Sequence, residues 1–245
     1  MDSHKQIPKC VLKHFHNDQG RFFCYNVENF EIRRSNAKRF NTEVNYYSPF
    51  IESQLCSKIE TPLGLLISDL KNVFNDKEIT IRGKYRAVIY NYIYSLCARS
   101  PKMMSSVEQS LFFKECYTEQ AIHDFTLMDS LALMQNDAHL ESYKFTFLFN
   151  HTSDDLLLPS DGYTQFVVGD GKVMIIFVPI TSKIAFWLYR GTNIYDGKII
   201  VEQDIHFILQ LNRMTFEQQK QRGKGYVISS TESYLKTIAV DEMKE

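Results

Sequence analysis

The sequence predicts an α+β fold with an N-terminal β-hairpin, a central helical layer and a mostly antiparallel C-terminal sheet. Two patterns lead to this prediction. Apolar residues recur every three or four positions through much of residues 48–135, as they do along one face of a helix. Between residues 143 and 230 they alternate or form short continuous runs, which is typical of strands. We expect the helices to pack against the sheet in a single domain over residues 1–245, because no linker-like or repeated segment divides the chain.

The N-terminal region predicts the β-hairpin. Residues 20–27 (GRFFCYNV) have the side-chain alternation of a strand, and the preceding residues 17–20 (NDQG) supply a turn. A second short strand near Phe30–Arg33 would complete the hairpin. Just upstream, His14 and His16 are expected to lie on one side of an extended segment.

A long helix is predicted to begin at Ser48 and Pro49. Serine caps free backbone amides at a helix start, and proline is tolerated at the first helical position. From residue 51 to residue 74 apolar side chains form one helical stripe. Pro62 lies inside this stripe and should kink or divide the helix, because proline has no amide donor.

Two further helices should follow. The apolar spacing from Tyr85 to Leu96 predicts an amphipathic helix that stops near Arg99, since Pro101 follows two residues later. A third helical stretch is predicted from about Val107 to Met134. The helical part of the chain therefore extends to about residue 135.

After residue 143 the pattern predicts a sheet, a long helix and a last strand. The predicted strands are residues 145–149, 165–168, 173–178, 184–189 and 225–229, and the predicted helix is residues 205–216. The turn between the second and third strands contains Gly169, Asp170 and Gly171.

Composition excludes several classes of protein. The net charge of −1 gives no global field to attract a polyanion, so a nucleic acid would need a local basic patch such as residues 33–39. Five widely spaced cysteines without a C-x-x-C pair predict neither a disulfide framework nor a zinc site. The sequence shows no secretory signal, and its apolar runs are too short to span a membrane. We therefore expect a cytoplasmic protein with no membrane partner.

Several segments together resemble a known family. In order, they are HKQIPKCVLKHF, GRFFCYNV, IESQLCSKIE, ARSP, LLLPSDG, MIIFVPITSKIAFWL and ILQLN, and they span nearly the whole chain. Their order and spacing resemble the prokaryotic family catalogued as domain of unknown function 4238. His4 matches the first histidine of the family's N-terminal pair, whereas Ser160 and Asp161 lack the Asn-Pro that follows them in the family. Family relatives are similar to proteins of bacterial defence islands, so the resemblance implies a role in resisting phage.

The first functional hypothesis is an effector or sensor that acts by binding. Its site would be a polar cleft formed by His4, Glu60, Arg99 and Asp161, with Ser160 beside them. A phage component, a nucleic acid or a partner protein would be bound there. A weaker alternative is a structural subunit that docks another protein through an aromatic surface.

The second hypothesis is a metal-dependent nuclease or another phosphodiester hydrolase. Glu60 and Asp161 would be the metal ligands, and His4 or Arg99 would assist. A divalent metal belongs to this alternative only, and no other cofactor is evident in the sequence. Walker, G-x-S-x-G, G-x-G-x-x-G and HExxH motifs do not occur.

Each candidate also has a structural interpretation. Glu52 and Glu60 would share a helix face. Paired acids of this kind occur in metal and acid/base sites, and they are also common on solvated helix surfaces. Asp170 and Lys172 fall in a glycine-rich turn, which argues against the strand-borne acid and lysine of a nuclease. At a helix end, Arg99 would serve either as a partner for backbone carbonyls or as an anion-binding group.

Overall fold

The structure of the chain is a computed structural model that describes residues 2–4, 6–40, 42–74, 84–100, 118–135, 143–168, 173–189 and 197–241. The chain divides into two compact units. We call residues 1–10 and 41–141 the helical unit, and residues 11–40 and 142–245 the sheet unit. Helices and mostly antiparallel sheets confirm the predicted α+β class. The single domain stays a prediction.

The helices and strands of the described residues are numbered along the chain. The helices are α1 (Lys9–Leu12), α2 (Pro49–Leu55), α3 (Thr61–Phe74), α4 (Lys84–Ala98), α5 (Glu119–Gln135), α6 (Ile205–Gln221) and α7 (Glu232–Asp241). The strands are β1 (Asp2–His4), β2 (Phe22–Asn26), β3 (Ile32–Ser35), β4 (Thr42–Val44), β5 (Lys144–Asn150), β6 (Leu158–Pro159), β7 (Thr164–Val168), β8 (Val173–Pro179), β9 (Ile184–Tyr189), β10 (Ile199–Glu202) and β11 (Tyr226–Ser229).

The predicted long helix of the helical unit is interrupted by a π turn. The Ser48 hydroxyl accepts a hydrogen bond from the Ile51 amide at 3.4 Å and caps α2. Residues Cys56–Glu60 then form the π turn, in which the Thr61 amide donates to the Cys56 carbonyl. Helix α3 follows directly from the π turn, and Pro62, its second residue, has no amide with which to donate to the preceding turn. The regular α-helical bonding is therefore interrupted just before Pro62, where the sequence predicted a kink or a division.

Helices α4 and α5 complete the described part of the helical unit. Helix α4 ends at Ala98, as expected from Pro101, and it packs against α3, α5 and the π turn. Helix α5 confirms the later part of the predicted third helix, and residues 107–117 of that prediction lie outside the described residues. Strands β1 and β4 pair antiparallel in the same unit, a pairing that the sequence did not predict.

The sheet unit contains a five-stranded and a four-stranded sheet. The five strands lie in the order β10-β5-β9-β8-β7, with β10 parallel to β5 and the other neighbours antiparallel. The four strands lie in the order β3-β2-β11-β6, all antiparallel. The pairing of β2 with β3 confirms the N-terminal hairpin, although β3 starts two residues later than predicted.

The expectation for His14 was wrong. His14 lies in a 3₁₀ turn, Lys13–Phe15, that continues α1, and only His16 has an extended backbone. The buried side chains of Val11, Leu12 and Phe15 explain the difference, because their spacing is helical. The Nε2 atom of His16 accepts a hydrogen bond from the Ala37 amide at 3.0 Å, which links residue 16 to the segment that follows β3.

Helix α6 joins both cores of the sheet unit. Ile208 and Leu211 belong to a cluster with side chains of the five-stranded sheet, such as Phe177. Phe216 belongs to a second cluster with Tyr25 and with side chains of α7 and the four-stranded sheet. Before β6, Leu156 belongs to the first cluster and Leu157 to the second. Residues 160 and 161 therefore lie beside the end of α6.

None of the helices that the structure describes combines the length and the apolar character needed to cross a membrane.

Candidate functional site

Arg99 and Glu60 form an ion pair in the helical unit. Arg99 directly follows α4, and only 1% of its side-chain surface is exposed. Glu60 is the last residue of the π turn, and 25% of its side chain is exposed. The Nη2 atom of Arg99 lies 3.6 Å from the Oε1 atom of Glu60. The structure therefore brings together two of the residues that the sequence predicted as site residues.

The guanidinium of Arg99 has unused hydrogen-bond donors. Its Nη1 group donates to the carbonyl oxygen of Gln6 at 3.3 Å. Its Nε and Nη2 groups are buried and make no hydrogen bond with any residue that the structure describes. The carbonyl partner suggested for Arg99 is therefore in the N-terminal segment, and the remaining donors can serve an anionic group.

Two buried tyrosines surround this pair. Tyr92 is 0% exposed and Tyr47 is 2% exposed, and burial raises the pKa of both hydroxyls above the ordinary value. The positive charge of Arg99 acts on both tyrosines in the opposite direction. Both therefore stay neutral at physiological pH. Beside these two neutral, buried hydroxyls, the attraction between the Arg99 guanidinium and the Glu60 carboxylate is stronger than it would be in water.

The second acid of the predicted pair lies close to the same residues. Glu52 raises the pKa of Tyr47, and Glu60 raises the pKa of Tyr92. Each carboxylate thus acts on one of the two tyrosines that Arg99 also acts on, and the shared helix face of Glu52 and Glu60 stays a prediction. Among the described residues, no group of three His, Cys, Asp or Glu side chains could hold a metal ion.

Asp161 occupies a different setting in the sheet unit. It follows β6, and its carboxylate forms an ion pair with Arg222 beyond the end of α6. The Arg222 guanidinium also lies over the ring of Tyr163, 5.7 Å from its centroid. Burial raises the pKa of Asp161, and this effect exceeds the opposing effects of Arg222 and Lys224. Asp161 is thus a partly desolvated carboxylate with a fixed cationic partner.

Ser160 is held against the backbone of Gly225. Its amide donates to the Tyr226 carbonyl at 2.8 Å, and the residue is 4% exposed. Gly225 has a φ of 95°, and a Cβ atom there would collide with the Ser160 hydroxyl and lie 2.8 Å from Nε2 of Gln219. Glycine is therefore required at residue 225 for two reasons, conformation and space.

The predicted site residues are divided between the two units. Glu60 and Arg99 belong to the helical unit, as does His4, whose backbone is paired with Thr42 in β4. Ser160 and Asp161 belong to the sheet unit. The side chain of His4 and residues 170 and 172 lie outside the described part of the chain. A single cleft formed by all of these residues stays a prediction.

Sequence reasoning missed the residues that surround Arg99 and Glu60 and the residue that pairs with Asp161. Tyr92 was read only as part of the apolar stripe of α4, and Tyr47 was not singled out. Arg222, the partner of Asp161, was not singled out either. Tyr92 lies inside the apolar stripe of α4, and Tyr47 and Arg222 lie near helix ends where polar and charged side chains are common, so no local pattern marked them as partners.

Comparison with known proteins gives a family and no named relative. No curated protein and no solved structure matches the chain. The model of one family, described as protein of unknown function (DUF4238), matches residues 4–233. This match includes both the Glu60–Arg99 pair and the Asp161–Arg222 pair. Because it spans most of the 245 residues, the chain belongs to the DUF4238 family.

Proposed function

We propose that the protein is a cytoplasmic effector or sensor of anti-phage defence that acts by binding, with Arg99 and Glu60 as its site for an anionic group. The observation that carries the proposal is the buried guanidinium of Arg99, whose Nε and Nη2 groups make no hydrogen bond with described residues. The defence role is supported by the resemblance to a family whose relatives are similar to proteins of bacterial defence islands.

The geometry of the pair favours exchange with a ligand. The 3.6 Å separation of Arg99 Nη2 and Glu60 Oε1 is longer than an ordinary hydrogen bond of about 2.7–3.2 Å. A carboxylate or phosphate group can accept two parallel hydrogen bonds from a guanidinium. Glu60 is the more exposed partner, so an anion that arrives from solvent competes with its carboxylate.

Release of Glu60 supplies a local response to binding. The Thr61 amide donates to the Cys56 carbonyl across the π turn, and Glu60 is the last residue of that turn. A π turn is a local departure from α-helical hydrogen bonding, and such turns occur frequently at functional sites. Displacement of the Glu60 carboxylate would therefore act on the segment that joins α2 to α3.

The proposal is tested by phage challenge of cells that express the wild type, Arg99→Lys or Glu60→Gln. Lysine keeps the charge but loses the planar pair of donors, so Arg99→Lys should abolish protection. Arg86→Lys is a matched control, because Arg86 lies on the same helix α4. Circular dichroism of each purified variant checks folding. Protection by Arg99→Lys equal to that of the wild type and of Arg86→Lys would refute the proposal.

The same cells discriminate binding from hydrolysis. Phage DNA and cellular RNA are extracted during infection and tested for integrity in the wild type, Glu60→Gln and Asp161→Asn. The binding hypothesis predicts nucleic acids of the same length in all three. Cleavage that depends on both Glu60 and Asp161 would instead favour the metal-dependent nuclease.

A further inference from the structure

We propose that a pocket in the helical unit binds a compact amphipathic anion. The pocket has a volume of about 320 Å³ and lies between the π turn with the end of α2, helix α4 and helix α5. Its size is at the lower end of the range of about 300–1,000 Å³ found for small-molecule sites. The described residues that line it are Gln54, Leu55, Lys58, Ile59, Asn91, Tyr94, Met128 and Ala132.

The lining supplies an apolar surface from two sides. Leu55 and Ile59 are four residues apart, and both are buried, with 2% and 4% exposure. Met128 and Ala132 are also four residues apart, on helix α5. Residues at this spacing lie one above the other on a helix face, so Leu55 and Ile59 form the buried floor of the pocket, while the exposed side chains of Met128, at 43%, and Ala132 form its rim. An apolar body of a ligand would be desolvated between them.

The remaining lining residues select the polar part of the ligand. Lys58 is the one charged side chain among the described residues of the lining. Gln54 lies one turn before it, and Asn91 contributes a second amide from α4. A cation flanked by amide groups favours a ligand with a single negative charge and nearby hydrogen-bond acceptors. The combined lining therefore fits an aromatic or short aliphatic carboxylate, sulfonate or phosphate ester.

The π turn is what places a charged and an apolar residue side by side at this pocket. Lys58 and Ile59 are consecutive residues of the turn, and both line the pocket, whereas Glu60 pairs with Arg99. The pocket lining includes neither Glu60 nor Arg99, so this proposal does not rest on the proposed function.

The test is a fluorescence titration with 1-anilinonaphthalene-8-sulfonate, a compact aromatic anion with one charge. Folded wild-type protein should bind it at one saturable site. Lys58→Met removes the cation and should weaken binding about tenfold. Ala132→Trp fills the pocket and should abolish saturable binding. Lys71→Met, which changes an exposed lysine of α3, is the matched control and should bind like the wild type.

Three outcomes would overturn the proposal. The first is fluorescence that rises without saturation in the wild type, the second is unchanged affinity in Ala132→Trp, and the third is an equal loss in Lys58→Met and Lys71→Met. Thermal denaturation of each variant confirms that a folded protein is titrated. Arg99→Lys should bind the probe like the wild type, so this result is separate from the test of the Arg99 site.

Discussion

Replacing Asn212 with alanine should strongly destabilise the sheet unit. Asn212 lies on helix α6 and is 0% exposed. Its Oδ1 atom accepts a hydrogen bond from the Leu157 amide at 2.9 Å. Its Nδ2 atom donates to the Asp155 carbonyl and to the Tyr234 hydroxyl, both at 2.7 Å. One amide therefore fixes the segment that leads to Ser160 and Asp161.

The expected magnitude follows from the groups left without a partner. A buried donor or acceptor that loses its partner costs about 1–3 kcal/mol, and the cost is less where water can replace the partner. Leu157 is fully buried, whereas Asp155 and Tyr234 are partly exposed. We therefore expect Asn212→Ala to lower the free energy of unfolding by about 3–5 kcal/mol. This is a large part of the roughly 5–15 kcal/mol of an ordinary domain.

Urea denaturation followed by circular dichroism measures this change. Gln210→Ala is the matched control, since Gln210 is exposed on the same helix α6, and it should stay within about 0.5 kcal/mol of the wild type. Asn212→Asp keeps the acceptor for Leu157 but not the donor for Asp155, so it should also destabilise. A free energy of unfolding of Asn212→Ala within about 1 kcal/mol of that of Gln210→Ala would show that the buried amide of Asn212 does not hold this segment.

Three further predictions concern the sheet unit. Lys183→Met should lower the free energy of unfolding by about 2–4 kcal/mol, because the Nζ atom of Lys183 donates to the carbonyls of residues 152–154 at 2.8–3.1 Å. Lys198→Met changes an exposed lysine and is the control. Equal urea midpoints for the two variants would contradict this prediction. Gly225→Ala should lower Tm through a positive φ and the short contact of the new Cβ, and an unchanged thermal transition would show that the backbone adapts. Because burial raises the pKa of Asp161, its charging costs the folded state free energy as pH rises above the ordinary value of 3.8. Urea denaturation should therefore show Asp161→Asn gaining stability relative to the wild type between about pH 3 and about pH 7, and a constant or opposite difference would argue against the raised pKa.

Periodicity predicted the elements of the fold better than their pairing. The apolar stripe from residue 51 to residue 74 and the alternation at residues 145–149 each reflect one element facing one core, so they are visible locally. The parallel pairing of β10 with β5 depends on segments about fifty residues apart, and no local pattern encodes it. Helix α7 went unpredicted although its buried Leu235 and Ile238 have helical spacing, because a ten-residue helix gives a short signal.

The candidate site was less accessible to sequence reasoning than the fold. Glu60 and Arg99 could be singled out one at a time, but their proximity depends on how α4 packs against the π turn. The π turn itself leaves the apolar stripe intact, so the stripe does not show where Glu60 points. Asp161 could be singled out alone, but its partner Arg222 lies 61 residues later, and their proximity depends on how α6 packs against β6.

An anion site at Arg99 is tested most directly by a thermal-shift titration of the purified protein with inorganic phosphate at constant ionic strength. The Tm of the wild type should begin to rise near the dissociation constant and then increase with the logarithm of the phosphate concentration, by about 5–10 °C at 100 times that constant. Glu60→Gln should reach the same rise at lower phosphate, because the competing carboxylate is absent, and Arg99→Lys should show none. Equal shifts in all three proteins, or no rise in Tm for the wild type and Glu60→Gln, would contradict an anion site at Arg99.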